Sequence, residues 1–172
     1  RCETVTGVQT CALPILGYAR NDGQAGTRNL LAIIPTVFCV NEVVTRLGEL
    51  VPGSKALTHD HGCCELKPTL DRITYLLGRL IANPNVGGVV IVSLGCEGIQ
   101  ASDLVDAAAR AGKPVLQMNV QQEGGVNRCI EARLPAVRDL KAELDNAARQ
   151  PCDLSSLVLG IKCGSSDATS GL

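Results

Sequence analysis

The chain has no tryptophan, one phenylalanine and two tyrosines in 172 residues, too few to build the aromatic stacking platforms of single-strand nucleic-acid binders. Charge imbalance is lacking too. Sixteen Lys and Arg against 17 Asp and Glu leave a formal net charge of −1, with no electrostatic pull toward nucleic acid or an anionic membrane surface. No apolar run approaches the roughly 20 residues that span a bilayer, and no basic stretch followed by an apolar one marks a secretory signal. Internal repeats and low-complexity segments are missing as well. These absences predict a cytoplasmic protein that acts on small molecules, with no nucleic-acid and no membrane partner.

What is present is an apolar fraction of 45% in a chain of single-domain length, enough to bury a core. Nine cysteines accompany it. Disulfide frameworks belong to short, loop-rich secreted domains, whereas strand and helix patterns here are long. The thiols therefore read as metal or redox groups in a reducing compartment.

Residues Val5 to Ile15 resemble the translation of a short-read sequencing adapter, so residues 1–16 are set apart as a leader foreign to the fold and expected to pack poorly. From Gly17 to Asn29 the chain is polar and glycine-rich, with Asp22-Gly23 as a turn signal. Leu30–Pro35 reads as a buried strand, followed by a helix to about Leu50 and a short strand at Ala56-Leu57-Thr58. Pro68 opens a helix whose apolar stripe (Leu70, Ile73, Leu76, Leu77, Leu80, Ile81) ends at Asn83-Pro84. The run Val89-Val90-Ile91-Val92-Ser93-Leu94 is too short for a helix and reads as a buried parallel strand ending in Gly95-Cys96-Glu97. A helix capped by Ser102 or Asp103 follows, then a strand at Val115–Met118, a polar loop Gln121–Gly125, and a helix over 126–149 broken or kinked at Pro135. A last strand is expected at Leu157–Ile161. Strands alternating with helices predict an α/β fold: a doubly wound, mostly parallel, Rossmann-like three-layer sheet of about five strands. Residues 17–150 form the α/β domain, and 151–172 begin a further one.

The strands end in chemistry: Cys39 after the first, His59 and Cys63 after the second, Cys96 and Glu97 after the third, Cys163 after the last. Parallel strands deliver all of these to one edge, where α/β sheets bind ligands. A Cys/His/Glu mixture suits iron, manganese or zinc better than magnesium or calcium. Blander readings stand beside this one. Cys39, Cys64 and Cys129 are readable as small buried hydrophobes, Cys152 as incidental, and His61 as a solvated loop residue. Arg28 reads equally as a carboxylate fork or as a surface turn residue.

The motifs Gly17-Tyr-x-Arg-x-Asp-Gly-x-x-Gly-x-Arg-Asn29, Pro35-Thr-Val-x-Cys39, Leu57-Thr-His-x-x-Gly-Cys63, Asn83-Pro-Asn-x-Gly-Gly88, Ser93-Leu-Gly-Cys-Glu97 and Cys163-Gly-x-Ser-Asp-x-x-Ser-Gly171 together resemble the galactarate/altronate dehydratase family of sugar-acid hydro-lyases, which includes sulfolactate sulfo-lyase. The resemblance covers residues 17–172. It implies a metal-dependent lyase that removes water from a 2,3-dihydroxy sugar acid to give a 2-keto-3-deoxy acid, with Fe(II) or Mn(II) as the metal. The implied metal ligands are His59, Cys63, Cys96 and Glu97, with Cys39 and Cys163 as further candidates. His59 and Glu97 are the candidate bases, and Arg28, Asn29, Ser166 and Asp167 the implied substrate contacts. It also implies a fragment, inactive alone, of a homo-oligomeric protein that works with a small β domain or subunit. The Cys63-Cys64 pair departs from the Gly-Cys-Gly or Gly-Cys-Ser expected there. Three other readings stay open: a sulfolactate-type carbon–sulfur lyase, an iron–sulfur cluster on Cys39, Cys63, Cys96 and Cys163, and a non-catalytic small-molecule-binding domain.

Overall fold

The computed structural model describes residues 14–158, 160, 162 and 164. In chain order, β1 (Ile15–Ala19) and β2 (Ala25–Gly26) form a hairpin that leads into β3 (Leu30–Pro35). A 3-10 turn at Phe38–Val40 precedes α1 (Asn41–Leu50), and β4 (Lys55–Ala56), α2 (Lys67–Ala82) and β5 (Val86–Ser93) follow. The chain continues through α3 (Ala101–Arg110), β6 (Val115–Asn119), α4 (Val126–Asn146) and β7 (Gln150–Cys152).

Four of these strands make a parallel sheet in the order β4-β3-β5-β6. The chain moves outward from β3 to β4, then returns past β3 to β5 and on to β6. The gap between β3 and β5 is therefore a topological switch point, where the connections leave on opposite faces and a crevice opens beyond the strand ends. Strand alternation sorts the core accordingly. Leu31, Ile33, Val90 and Val92 pack in one cluster with Val43 and Leu47 of α1 and Cys129 and Val137 of α4. Ala32, Ile34, Val89 and Ile91 pack in the other with Ile73 and Ile81 of α2 and Leu104 of α3. All eight residues of β5 are buried because both of its faces and both of its edges are covered. Each large aliphatic side chain so buried contributes about 1.5–3 kcal/mol. Cys129 belongs to this core, and burial, followed by the Glu123 carboxylate, pushes its thiol up to about 11, as suits a packing residue rather than a nucleophile.

At the far end of α2, Lys113 is buried and its ammonium donates to the carbonyls of Ile81 and Asn83, both at 2.6 Å. It closes the helix by satisfying carbonyls left over at the last turn. Burial, followed by the charge of Arg20, pulls its pKa down to about 8.

Several details differ from the sequence reading. The second strand is Lys55–Ala56, one residue earlier and one shorter than 56–58, although Leu57 still donates to Ile33 O at 3.0 Å. The residue at the N-cap of α3 is Gln100, which makes no side-chain cap; Ser102 and Asp103 lie inside the first turn. Pro135 does not end α4, which continues to Asn146. Its ring removes one backbone donor, and apolar burial on both sides, at Ile130 and Val137, holds the helix through it. Of the strand expected at 157–161, Leu157, Val158 and Gly160 are in no strand, and the other two residues lie outside those described. Ile15 and Leu16, placed by the sequence in the leader, pair instead with Cys152 and Pro151 in an antiparallel β1–β7 ladder. Among the described residues the parallel sheet has four strands where about five were expected.

Candidate functional site at the carboxyl edge of the sheet

β3 and β5 end side by side at the switch point, at Pro35 and Ser93. The next residue after β3, Thr36, is fully buried, and its hydroxyl donates to Glu97 Oε1 at 2.6 Å across the crevice. Glu97 Oε1 also accepts from the Leu94 backbone at 3.2 Å, and Oε2 from the Gly95 backbone at 2.6 Å. Burial pushes this carboxyl up, but the Thr36 hydroxyl and the backbone N–H groups of Gly95, Glu97 and Leu94 outweigh it and hold the group below its ordinary value. Glu97 is therefore a fixed anion that braces two strand-end loops. Donors that stabilise the carboxylate make it a poorer base than a free one.

The loop after β4 is bound to the same edge. His59 Nε2 lies 2.9 Å from Pro35 O, a pure acceptor, so Nε2 carries the proton; Nδ1 accepts from the His61 backbone at 3.2 Å. Both ring nitrogens are thus engaged in holding the loop. Asn41 Nδ2 donates to His59 O at 2.9 Å, while Asn41 Oδ1 is buried with no partner among the described residues. Gly62 is what allows the approach: its φ is +100°, and a Cβ there would lie 2.3 Å from Thr36 O and 2.8 Å from Val37 Cα. Phe38 N donates to His61 O at 2.9 Å and Gly98 N to Gly62 O at 3.2 Å, so three strand-end loops are joined through backbone bonds.

One pair in this loop has a free working end. His61 Nδ1 donates to Glu65 Oε1 at 2.8 Å, and Glu65 Oε2 accepts from Gly62 N at 2.9 Å. The Gly62 bond first, then the His61 bond, hold the Glu65 carboxyl below its ordinary value. A carboxylate anchored on one oxygen and orienting an imidazole with the other leaves His61 Nε2 without a partner among the described residues. This pairing escaped the sequence reading, which took His61 as a solvated loop residue. The available signal was the His-x-x-x-Glu spacing inside a loop already dense in functional groups.

Four thiols ring the same edge: Cys39, Cys63, Cys64 and Cys96 are all exposed, so Cys39 and Cys64 are not buried packing residues. Cys63 Sγ lies 3.6 Å from Cys64 Sγ. The Cys64 thiol, ahead of the charges of Cys39 and Cys96, pushes Cys63 up. Among the described residues no three His, Cys, Asp or Glu side chains stand close enough together to hold a metal ion. With both His59 nitrogens engaged as well, the residues present do not fit a resident metal as they stand. Arg28 and Asn29 are not at this edge. They precede β3, whose six residues put them roughly 20 Å away at its amino end. Asn29 is tied there, accepting from Arg20 Nη2 at 2.9 Å and donating to Leu144 O at 2.8 Å. Cys163, Ser166 and Asp167 lie outside the described residues.

Beside Glu97 opens a cavity of about 340 Å³, walled by Ser93, Gln100, Ser102, Gln117, Asn119 and Gln122. Its carboxamides and hydroxyls both donate and accept, which suits a ligand rich in hydroxyls.

Removing the brace has a measurable cost. Glu97→Ala leaves the buried Thr36 hydroxyl and the Gly95 amide without their charged acceptor, and a loss of about 2–3 kcal/mol is expected. The sign with pH is fixed by the depressed carboxyl: the stabilisation is present above the ordinary value of 4.5 and lost as pH falls through the lower folded value. Urea unfolding of both proteins should show a gap at pH 7 that closes in acid, and a gap independent of pH would contradict the brace.

Comparison with known proteins gives the family of the chain. The family model "D-galactarate dehydratase/Altronate hydrolase, second domain" matches residues 17–145. The altronate dehydratase of Bacillus subtilis (strain 168) is 30% identical over 166 residues, covering 91% of this chain and 33% of the relative. The (2R)-sulfolactate sulfo-lyase subunit beta of Chromohalobacter salexigens is 33% identical over 156 residues, covering 91% and 39%. The galactarate dehydratase (L-threo-forming) of Escherichia coli K12 is 30% identical over 176 residues, covering 91% and 34%. The chain thus spans between a third and two fifths of the length of these curated relatives. No solved structure gives a significant match. With the family's second-domain model matching most of the chain, the chain belongs to the D-galactarate dehydratase/altronate hydrolase family.

Proposed function

We propose that this chain supplies one wall of the active site of a sugar-acid dehydratase, a lyase that converts a galactarate- or altronate-type 2,3-dihydroxy acid to its 2-keto-3-deoxy product. The observation that carries this reading is the His61–Glu65 pair, set on the strand-end edge next to the Thr36–Glu97 clamp, with the second imidazole nitrogen open. In this scheme His61 Nε2 takes the proton from C2, and Glu65 steadies the imidazolium that forms. The C2–C3 double bond forms as the C3 hydroxyl leaves, and the imidazolium returns its proton to that hydroxyl to release water. The resulting enol tautomerises to the ketone. Among the described residues no three metal-binding side chains converge, so a metal used by the intact enzyme would take at least some of its donors from elsewhere. Glu97 contributes by fixing the loops rather than by moving protons.

The test is turnover by the intact protein, at the length of its relatives, on galactarate and altronate, read as one equivalent of 2-keto acid per substrate consumed. The sulfo-lyase relative motivates one further arm, (2R)-sulfolactate, read as sulfite. Release of sulfite with no 2-keto acid from either sugar acid would move the function to carbon–sulfur cleavage. Absence of turnover on all three would refute the proposal.

A further inference from the structure

A pocket lies at the opposite, amino-terminal edge of the sheet, away from the strand-end loops and beside Arg28, which the family resemblance had implied as a substrate contact. β4 has two residues against six in β3, so the outer edge of the sheet stops short of the end of α2. The notch left behind has a volume of about 360 Å³, within the range of small-ligand pockets. Its floor is apolar. Leu30 shares the α2-facing side of β3 with Ala32 by strand alternation, and Leu57 and Leu80 complete the surface.

Its rim is cationic, formed by Arg28 and Lys55 with Asn85. Among the described residues no acidic side chain lines the notch, and neither cation has an ion-pair partner. Asn85 Oδ1 is spent on the backbone N–H groups of Thr27 and Arg28, at 2.9 and 3.0 Å, which leaves its amide N–H groups as the remaining polar end. The rim therefore offers donors and positive charge with almost no acceptor.

We propose that this notch binds a small organic carboxylate with an apolar body. The planar guanidinium of Arg28 matches a carboxylate with two parallel donors, and Lys55 adds a second charge without directional demand. The leucine floor is what selects a carbon chain. A bare inorganic anion would use the rim alone and leave that floor wet. A ligand bound here is separated from Thr36 by the length of β3, roughly 20 Å, so it is not the molecule that reacts at the other edge. Occupancy of the notch is an effector or anchoring event, and it holds whether or not the strand-end edge dehydrates sugar acids.

Titration of the 172-residue chain with pentanoate, inorganic phosphate and galactarate, followed by backbone amide resonances, tests this directly. Pentanoate should shift the resonances of Thr27, Arg28, Lys55 and Leu57 in a saturable way, with a dissociation constant on the order of millimolar, as a ligand of its few heavy atoms allows. Arg28→Gln and Lys55→Gln should each weaken it by about five- to tenfold, and the same spectra report whether either variant has lost its fold. Phosphate should bind several-fold more weakly than pentanoate. The proposal is overturned by phosphate binding as tightly as pentanoate, by shifts confined to residues 93–98 and 119–122, by shifts that survive both substitutions, or by no saturable shift.

Discussion

His61→Asn in the intact protein is expected to lower kcat for the sugar acid by about 10²- to 10⁴-fold, the range that a positioned general base supplies. The variant isolates the role. An asparagine amide can still donate to Glu65 where the imidazole Nδ1 does, at 2.8 Å, so the loop keeps its anchor while the open Nε2 disappears. Thermal stability should accordingly stay within about 2 °C of the parent, since an exposed position contributes little. Glu65→Gln should also lower activity, because a glutamine has one acceptor oxygen for two donors, His61 Nδ1 and Gly62 N, and lacks the charge that steadies an imidazolium. His59→Asn makes the contrast: both of its ring nitrogens hold the backbone, so its main cost should appear as lost stability. Retention of most of the kcat by His61→Asn would place the base elsewhere.

Gly62→Ala carries the largest expected cost to folding, about 2–6 kcal/mol, or roughly 10 °C in Tm for a domain of this size. Two effects add. A non-glycine residue at φ +100° is strained by about 1–3 kcal/mol. The methyl group would also stand 2.3 Å from Thr36 O, a buried backbone atom that cannot move without disturbing the end of β3, and such overpacking costs a further 1–3 kcal/mol or so. Gly23→Ala separates the two terms. Gly23 has φ +82° and nothing within 4 Å of its Cβ direction, so it should lose only the backbone term. Comparable melting temperatures for the two variants would show that the close approach of the β4 loop to Thr36 does not hold in solution.

The parallel core was readable because its signals are local. Leu30–Pro35 came out at the boundaries the structure has and α1 at its Leu50 end, since an apolar run and a helical stripe each declare themselves within a few residues. The β1–β7 ladder did not. It joins residues 15–17 to 150–152, two short segments of which one contains a proline, and neither has a periodic pattern until the partner is known. Arg28 is an instructive case. Its place two residues before β3 already implied the amino end of a parallel strand, opposite to the edge where ligands of the main site bind.

Sequence by itself determined the α/β class, the family, and that His59, Cys63, Cys96 and Glu97 follow strands that run the same way. Which of their polar atoms are engaged was decided by tertiary structure. Glu97 and His59 are the residues a reader of the sequence would choose as bases, yet packing at the switch point surrounds one with donors and occupies both nitrogens of the other. His61, which the sequence left as a surface residue, becomes the imidazole with an open nitrogen because Gly62 lets the loop fold back and anchor Glu65. The reason is physical. Which residue types reach an edge depends on strand direction, a property of the chain, whereas which lone pairs remain free depends on hydrogen bonds between segments far apart in sequence, and those exist only once the fold has closed.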